Sequence, residues 1–128
     1  MPDLNLRSYG IATDTVTIAN GAALSSAVRL AGRAIVGLFM PATWTAASLT
    51  MQTSLDGSTW YDYYIRTDNT AVAEFRLVTP TAGTFLPFDP TDFAGVLYLR
   101  FRSGVTATPV NQGGDRTITL VMRDVRGR

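Results

Sequence analysis

The chain contains no cysteine, no histidine and no lysine, and Glu74 is its single glutamate. Without cysteine it has no disulfide and no thiolate to offer a metal or a substrate, and the redox state of its compartment leaves no mark on it. Without histidine it lacks the commonest general base and the commonest metal ligand. It also lacks the one side chain that titrates near neutrality unperturbed. Neither a Ser-His nor a Cys-His pair can be assembled from this alphabet. All 11 basic residues are arginine, which reflects either a GC-rich coding sequence or a preference for planar, bidentate donors at an interface. Charged residues make up only 16% of the chain, against about a quarter in ordinary soluble domains. Part of so lightly charged a surface is expected to meet a partner.

Other function classes lose ground on the same count. A net charge of +1 lacks the basic excess of a general nucleic-acid binder. No stretch approaches the roughly 18 apolar residues of a membrane span. The opening MPDLNLRSYG carries an early acid and no apolar core, so it does not read as a signal peptide.

What the chain does have is alternation. Its 128 residues suit one domain, which at this length buries roughly 70% of the surface its unfolded chain exposes. Short runs of β-branched and aromatic residues recur between Gly, Pro, Asp and Asn, the pattern of a sandwich or barrel. TVTIAN is the first clear strand, with Val16 and Ile18 facing in, Thr15 and Thr17 out, and Asn20-Gly21 turning the chain. From Leu24 to Met40, the residues Leu24, Val28, Ala31, Ile35 and Leu38 fit a helical stripe. Gly32 and Gly37 each cost a helix about 1 kcal/mol, and the preferred reading is two strands, Ala27–Ala31 and Ala34–Met40. LTMQTSLDGSTWYDYYI is a hairpin about Asp56-Gly57. Leu49, Met51 and Leu55 are expected inward, Thr50, Gln52 and Ser54 outward, and the aromatic strand holding Trp60, Tyr61, Tyr63 and Tyr64 buried on both faces. AVAEFRL follows, with Asp68-Asn69 at its entrance. VLYLRFR and RTITLVMRD close the fold, burying Leu97, Leu99 and Phe101 on one and Ile118, Leu120 and Met122 on the other.

The expected architecture is therefore an all-β, jelly-roll-like antiparallel β-sandwich of about eight strands. Residues 14–128 form the domain and residues 1–13 an N-terminal arm. In that arm Leu4, Leu6 and Tyr9 alternate with polar residues including Arg7. It reads either as a frayed terminus or as a strand that adds to a neighbour. Between Thr79 and Phe93, Pro80, Pro87 and Pro90 forbid a central strand. Phe85, Leu86, Phe88 and Phe93 are too apolar for a free loop there, so they must pack on the sandwich or on a neighbour. Leu4, Leu6, Arg7, Tyr9 and these four are the candidate partner-binding residues.

Catalytic signals are poor. Asp56, Asp68, Asp89, Asp92 and Asp115 fall at turns, where aspartate serves local hydrogen bonding. Asp62 lies inside a strand and is expected to pair with Arg100 or Arg102. A calcium site drawn from Asp56, Asp89 or Asp92 lacks any EF-hand spacing, and Gly113-Gly114 opens a strand rather than a phosphate-binding helix. No enzyme activity, metal or cofactor is expected. The aromatic run from Trp60 to Tyr64 reads as core or interface packing, with a sugar-binding face as the alternative.

An extended pattern narrows the field. VTIANGAALSSAVRLAG, VGLFMPATWTAASLTMQTSLDGSTWYDYY and LRFRSGVTATPVNQGGDRTITLVMRD together resemble a group of small tailed-phage virion structural proteins. In that group a TVTI-type strand, an MP-x-x-W-T-A-A-x-L-T segment, an S-x-DG hairpin and a final R-x-I-x-L-V strand follow one another. The likeness runs from Val16 to Arg123 and rests on strands and turns, with a departure at Val105. It implies a head decoration (cement) protein, a homotrimer seated on the major capsid protein lattice at the virion surface after synthesis in the bacterial cytoplasm. Other virion positions (neck, tail or fibre base) and a carbohydrate-binding module are the competing readings.

Overall fold

A computed structural model describes residues 10–124, and within them the alternating pattern resolves into eleven strands. These are β1 (Ile11–Ile18), β2 (Val28–Arg29), β3 (Arg33–Phe39), β4 (Leu49–Ser54), β5 (Tyr61–Asp62) and β6 (Tyr64–Arg66), followed by β7 (Val72–Glu74), β8 (Phe85–Pro87), β9 (Tyr98–Val105), β10 (Thr108–Pro109) and β11 (Arg116–Asp124). A 3-10 turn at Pro90–Phe93 interrupts them, and no α-helix occurs among the described residues. One sheet has four strands in the order β1-β11-β3-β8. The other runs β10-β9-β4-β5, with β2 also on β9, and β6-β7 form a separate two-stranded hairpin. All pairings are antiparallel.

The two sheets pack face to face because each strand buries alternate residues. Val16, Ile35, Leu38, Ile118, Leu120 and Met122 come from one sheet and Val28, Leu49, Met51, Leu99 and Phe101 from the other, all 4% exposed or less. Full burial of such a side chain contributes about 1.5–3 kcal/mol. This is the antiparallel β-sandwich expected from the sequence.

The helical spacing between Leu24 and Met40 has a local cause. Pairing along β3 jumps from Val121↔Gly37 to Met122↔Ile35, leaving Val36 as an extra residue in a β-bulge. The bulge resets the alternation, so Ile35 and Leu38, three apart, both face the core. Ala31 and Gly32 turn the chain with φ of 55° and 81°, and the expected Ala27–Ala31 strand shrinks to Val28–Arg29.

The aromatic strand departs from expectation. It breaks at Tyr63 into β5 and β6, and Tyr61 and Tyr64 are 63% and 50% exposed. β5 ends its sheet, and an edge position leaves Tyr61 largely in water. Leu55 sits at the hairpin tip, exposed, and Leu97 precedes β9 and is likewise exposed. Thr50 and Ser54, expected outward, are buried. The Thr50 hydroxyl donates to the Gly104 carbonyl at 2.8 Å, and Ser54 Oγ accepts from the Gly57 amide at 2.8 Å to close the Asp56-Gly57 turn.

In the proline-rich connection, β8 adds to β3 as an edge strand, the place a sheet tolerates Pro87. Phe93 is fully buried and stacks on Phe88 with ring centroids 5.4 Å apart. Phe93 is therefore core of its own protomer rather than contact surface. Tyr63 joins the same aromatic cluster, 6.0 Å from Phe93 and 5.7 Å from Phe75. At the N-terminal end β1 already includes Ile11, Ala12 and Thr13, paired with Arg123, Met122 and Val121. Leu4, Leu6, Arg7 and Tyr9 lie outside the described residues.

Candidate functional site

Three surface regions stand apart from the core, and each follows from strand alternation. The first is the outer face of the four-stranded sheet. With Val16, Ile18, Ile118 and Leu120 turned in, the outward residues are Thr13, Thr15 and Thr17 on β1 and Thr117, Thr119 and Val121 on β11. Register carries the row on, since Thr119 pairs with Phe39 and Phe39 with Phe85. Phe39 and Phe85 are 50% and 44% exposed and lie 4.7 Å apart. The Phe85 ring covers Gly37 so closely that a Cβ there would sit 2.2 Å from its tip. Arg123, at one end, is the charged residue among these outward strand positions. Away from Arg123 the face is β-branched and aromatic, and taking that part out of water carries no ionic desolvation cost.

The second region, the outer face of the other sheet, is the reverse. Here β9 turns Arg100 and Arg102 outward, opposite Gln52 and Thr50 of β4. Arg102 is 5% exposed. Its Nη1 donates to Asp62 at 3.0 Å, its Nη2 to Glu74 and Thr106 at 2.7 Å each, and its Nε to Thr50 at 3.0 Å. Asp62 also accepts from Gln52, whose carbonyl accepts from Arg100. Burial pushes the Asp62 carboxyl up, but hydrogen bonds from Gln52, Arg102 and Thr106 and the charge of Arg102 hold it below the ordinary carboxylate range. Glu74 belongs to β7, so this ion pair ties the β6-β7 hairpin to the sandwich. An isolated two-stranded hairpin is marginal in water; here Tyr63 and Phe75 root its base and Arg102 its flank.

The third region is a cleft of about 350 Å³ between the end of the β4-β5 hairpin and the segment after the 3-10 turn. Its lining includes Leu55, Tyr61, Tyr63, Asp92, Val96 and Leu97. The Tyr63 hydroxyl donates to the Asp92 backbone carbonyl. Burial, and secondarily the Asp92 charge, push that phenol up to about 12. Burial and the neighbouring Asp89 raise the Asp92 carboxyl.

Most of the aspartates around these regions are held by structural partners. Asp62 is committed to Arg102, as one of the two expected partnerships had it. Asp56 and Asp68 accept chiefly from the amides of their own turns, and Asp89 from the Thr91 hydroxyl and then its amide, which holds each carboxyl low. No group of His, Cys, Asp or Glu suited to a metal occurs among the described residues. Arg100 lies 4.4 Å over the Trp60 ring, so one face of that indole is already occupied. Of the four apolar candidates in the proline-rich connection, Phe85 alone is strongly exposed, while Leu86 and Phe88 are half-buried against the core. Sequence reasoning passed over Phe39, although the threonine runs T-x-T-x-T and T-x-T beside it were the legible signal of a shared outward face.

No family model matches the chain, and no curated protein matches it by sequence. Among solved structures, one titled "Crystal structure of SPBc2 prophage-derived protein YomS" shares the fold, with a TM-score of 0.50 and 11% identity over 88% of this chain and 93% of that one.

Proposed function

We propose that this chain is a virion structural protein of a tailed phage, specifically a head decoration (cement) protein. In this reading it sits as a homotrimer on the outer surface of the major capsid protein lattice and stabilises the head. The observation that carries the reading is the outer face of the four-stranded sheet, where Phe39 and Phe85 continue an uncharged row from Thr15 and Thr119. A protein that must dock many times on a regular shell is served by a rigid sheet face that desolvates cheaply. The phage-like pattern of the sequence and the prophage-derived origin named for the structural neighbour support the same reading. The protein acts by binding alone, with no cofactor.

The test is to mix purified protein with undecorated capsids of the parent phage and count bound copies. Saturation at a copy number set by the capsid lattice is expected, with loss of binding in Phe39→Asp and Phe85→Asp variants that still fold. Finding the protein on native virions only at the neck or tail would move it to another virion position. Retention on a polysaccharide column, abolished by Tyr61→Ala, would favour the sugar-binding alternative instead.

A further inference from the structure

We propose that the outer edge of β1 is a strand-pairing surface for a second copy of this chain, and that Asp14 keeps it closed. This surface is the lateral edge of the four-stranded sheet, distinct from the threonine and phenylalanine face of the reading above.

Among the outer strands β1 stands alone in length. β2, β5 and β10 have two residues each and β6, β7 and β8 three, and Pro87 and Pro109 sit in two of them. Short edges and proline guard a sheet against a foreign strand. β1 has eight residues and no proline, and β11 pairs with one side of it. Register shows which of its backbone groups are open. The Asp124 amide donates to the Gly10 carbonyl opposite it, so even-numbered residues of β1 turn their backbone groups to β11 and odd-numbered ones turn theirs outward. At the far end the outward groups of Thr17 are taken. Its amide donates to Ser26 Oγ at 3.1 Å, and its carbonyl accepts from the Ser26 amide at 3.0 Å. Among the described residues no backbone partner reaches the outward groups of Ile11, Thr13 and Thr15.

These three residues fit their own copies. An antiparallel partner turned about a two-fold axis at Thr13 sets Ile11 opposite Thr15, Thr13 opposite Thr13 and Thr15 opposite Ile11. Every open residue then meets an open one. Shifting the axis to Ala12 or Asp14 loses that match, and at Asp14 it also sets the two carboxylates face to face. Asp14 opposes the pairing in two ways. Its Oδ1 accepts from the Thr15 amide at 2.8 Å, so a side chain already covers one of the outward donors. Its carboxylate also stands exposed on the same side of the strand as Val16 and Ile18, and a charge turned inward at an edge is costly to bring against a second strand. In the Thr13 register the two Asp14 residues become diagonal neighbours, roughly 7–8 Å apart, and like charges repel at that distance.

Asp14→Val removes the charge and the accepting oxygen together, and valine is favoured in strands, so the variant should melt no lower than wild type. At micromolar concentration its mass by light scattering should be about twice the wild-type mass or more. Hydrogen exchange at the Thr13 and Thr15 amides should slow with it, while the Ala12 amide, bonded to β11, keeps its wild-type rate. Adding Thr13→Pro should restore the wild-type mass, because proline there removes an outward amide and spares the ladder with β11. An Asp14→Val chain of wild-type mass overturns the gate. A doubled mass that survives Thr13→Pro also overturns it, since the contact then lies elsewhere. So does a double variant that fails to fold, because the Thr13 amide then belongs to the β11 ladder. Wild-type Thr13 and Thr15 amides that exchange as slowly as that of Ala12 overturn it too, since the edge is then already filled. None of these outcomes bears on the copy number bound to capsids, which stands or falls by its own test.

Discussion

On β11, Thr117, Thr119 and Val121 face outward, with Arg123 the charge at their end; on β9, in the other sheet, the outward residues include Arg100 and Arg102. The same period-2 pattern thus builds two faces with opposite fates. The arginine face is turned inward on itself. Arg102 satisfies Thr50, Asp62, Glu74 and Thr106, and the β6-β7 hairpin covers it, so little of that charge is left for a partner. Among the described residues the threonine face carries no such lid, and its two phenylalanines stay half in water. The comparison shows how a chain with few charges divides its labour. Its ions hold the protomer together, and its threonine and phenylalanine face stays in water.

The largest effect that separates the faces is loss of Arg102. Arg102→Ala leaves Asp62 and Glu74 without their cation and cuts the tie to the hairpin, and removing one partner of a buried ion pair costs about 3–5 kcal/mol. Thr119→Ala on the opposite face should stay within about 0.5 kcal/mol of wild type. Urea unfolding of both variants measures the contrast. Equal losses would mean that the two faces contribute alike to the protomer.

The next effect concerns the threonine face and its two phenylalanines. Gly37→Ala drives a methyl into the Phe85 ring, 2.2 Å from its Cζ, and toward the Leu86 carbonyl at 2.9 Å. Such overpacking typically costs about 1–3 kcal/mol. Adding Phe85→Ala to Gly37→Ala should recover part of the loss, because residues in contact couple. Strict additivity in that double-mutant cycle would show that the ring does not rest on Gly37.

How much of this could be read beforehand depends on the type of signal. Strands with one buried face were legible wherever alternation ran undisturbed, as at Val16 and Ile18, at Leu49 and Met51, and at Ile118, Leu120 and Met122. The bulge at Val36 defeated the pattern between Leu24 and Met40, because one inserted residue makes a strand mimic helical spacing. The aromatic run misled for another reason. Tyr61, Tyr63 and Tyr64 carry equal hydrophobic promise, and only their place at a sheet edge decides that Tyr63 alone turns to the core. The Asp62–Arg102 pair was legible because a charge within a strand needs a cross-strand partner. Glu74 as the second partner was not, since it arrives from a hairpin far away in sequence. Phe39 escaped notice because a single outward aromatic looks ordinary until register sets it beside Phe85.

A smaller effect follows from pH at the arginine face. Asp62 is held below its ordinary value in the fold, so its contribution is complete above the unfolded carboxylate range, near pH 4. It is lost as pH falls through the lower folded value. Acid should therefore weaken the tie between β5 and Arg102, seen as a falling urea midpoint. In Asp62→Asn the stability difference between neutral and acid pH should shrink. An unchanged acid profile would remove Asp62 from the account.

The smallest expected effect lies at the alkaline end, in the cleft. Tyr63 shares its cleft with Tyr61, but its ring packs against Phe75 and Phe93 and its hydroxyl donates to the Asp92 carbonyl. Burial of the phenol, aided by the Asp92 carboxylate, raises it from 10.0 to about 12. A raised value means the fold favours the neutral hydroxyl, so Tyr63 leaves stability unaffected below pH 10 and erodes it as pH climbs from 10 toward 12. Phenolate absorbance should resolve one late-titrating tyrosine, and Tyr63→Phe should remove that step. The same variant should lose less stability than wild type over this interval, since it has no proton to give up. Tyr61→Phe, whose side chain is mostly in water, should leave the late step in place. If the step follows Tyr61 instead, the cleft is lined the other way round, and the exposed rim assigned to Tyr61 belongs to Tyr63.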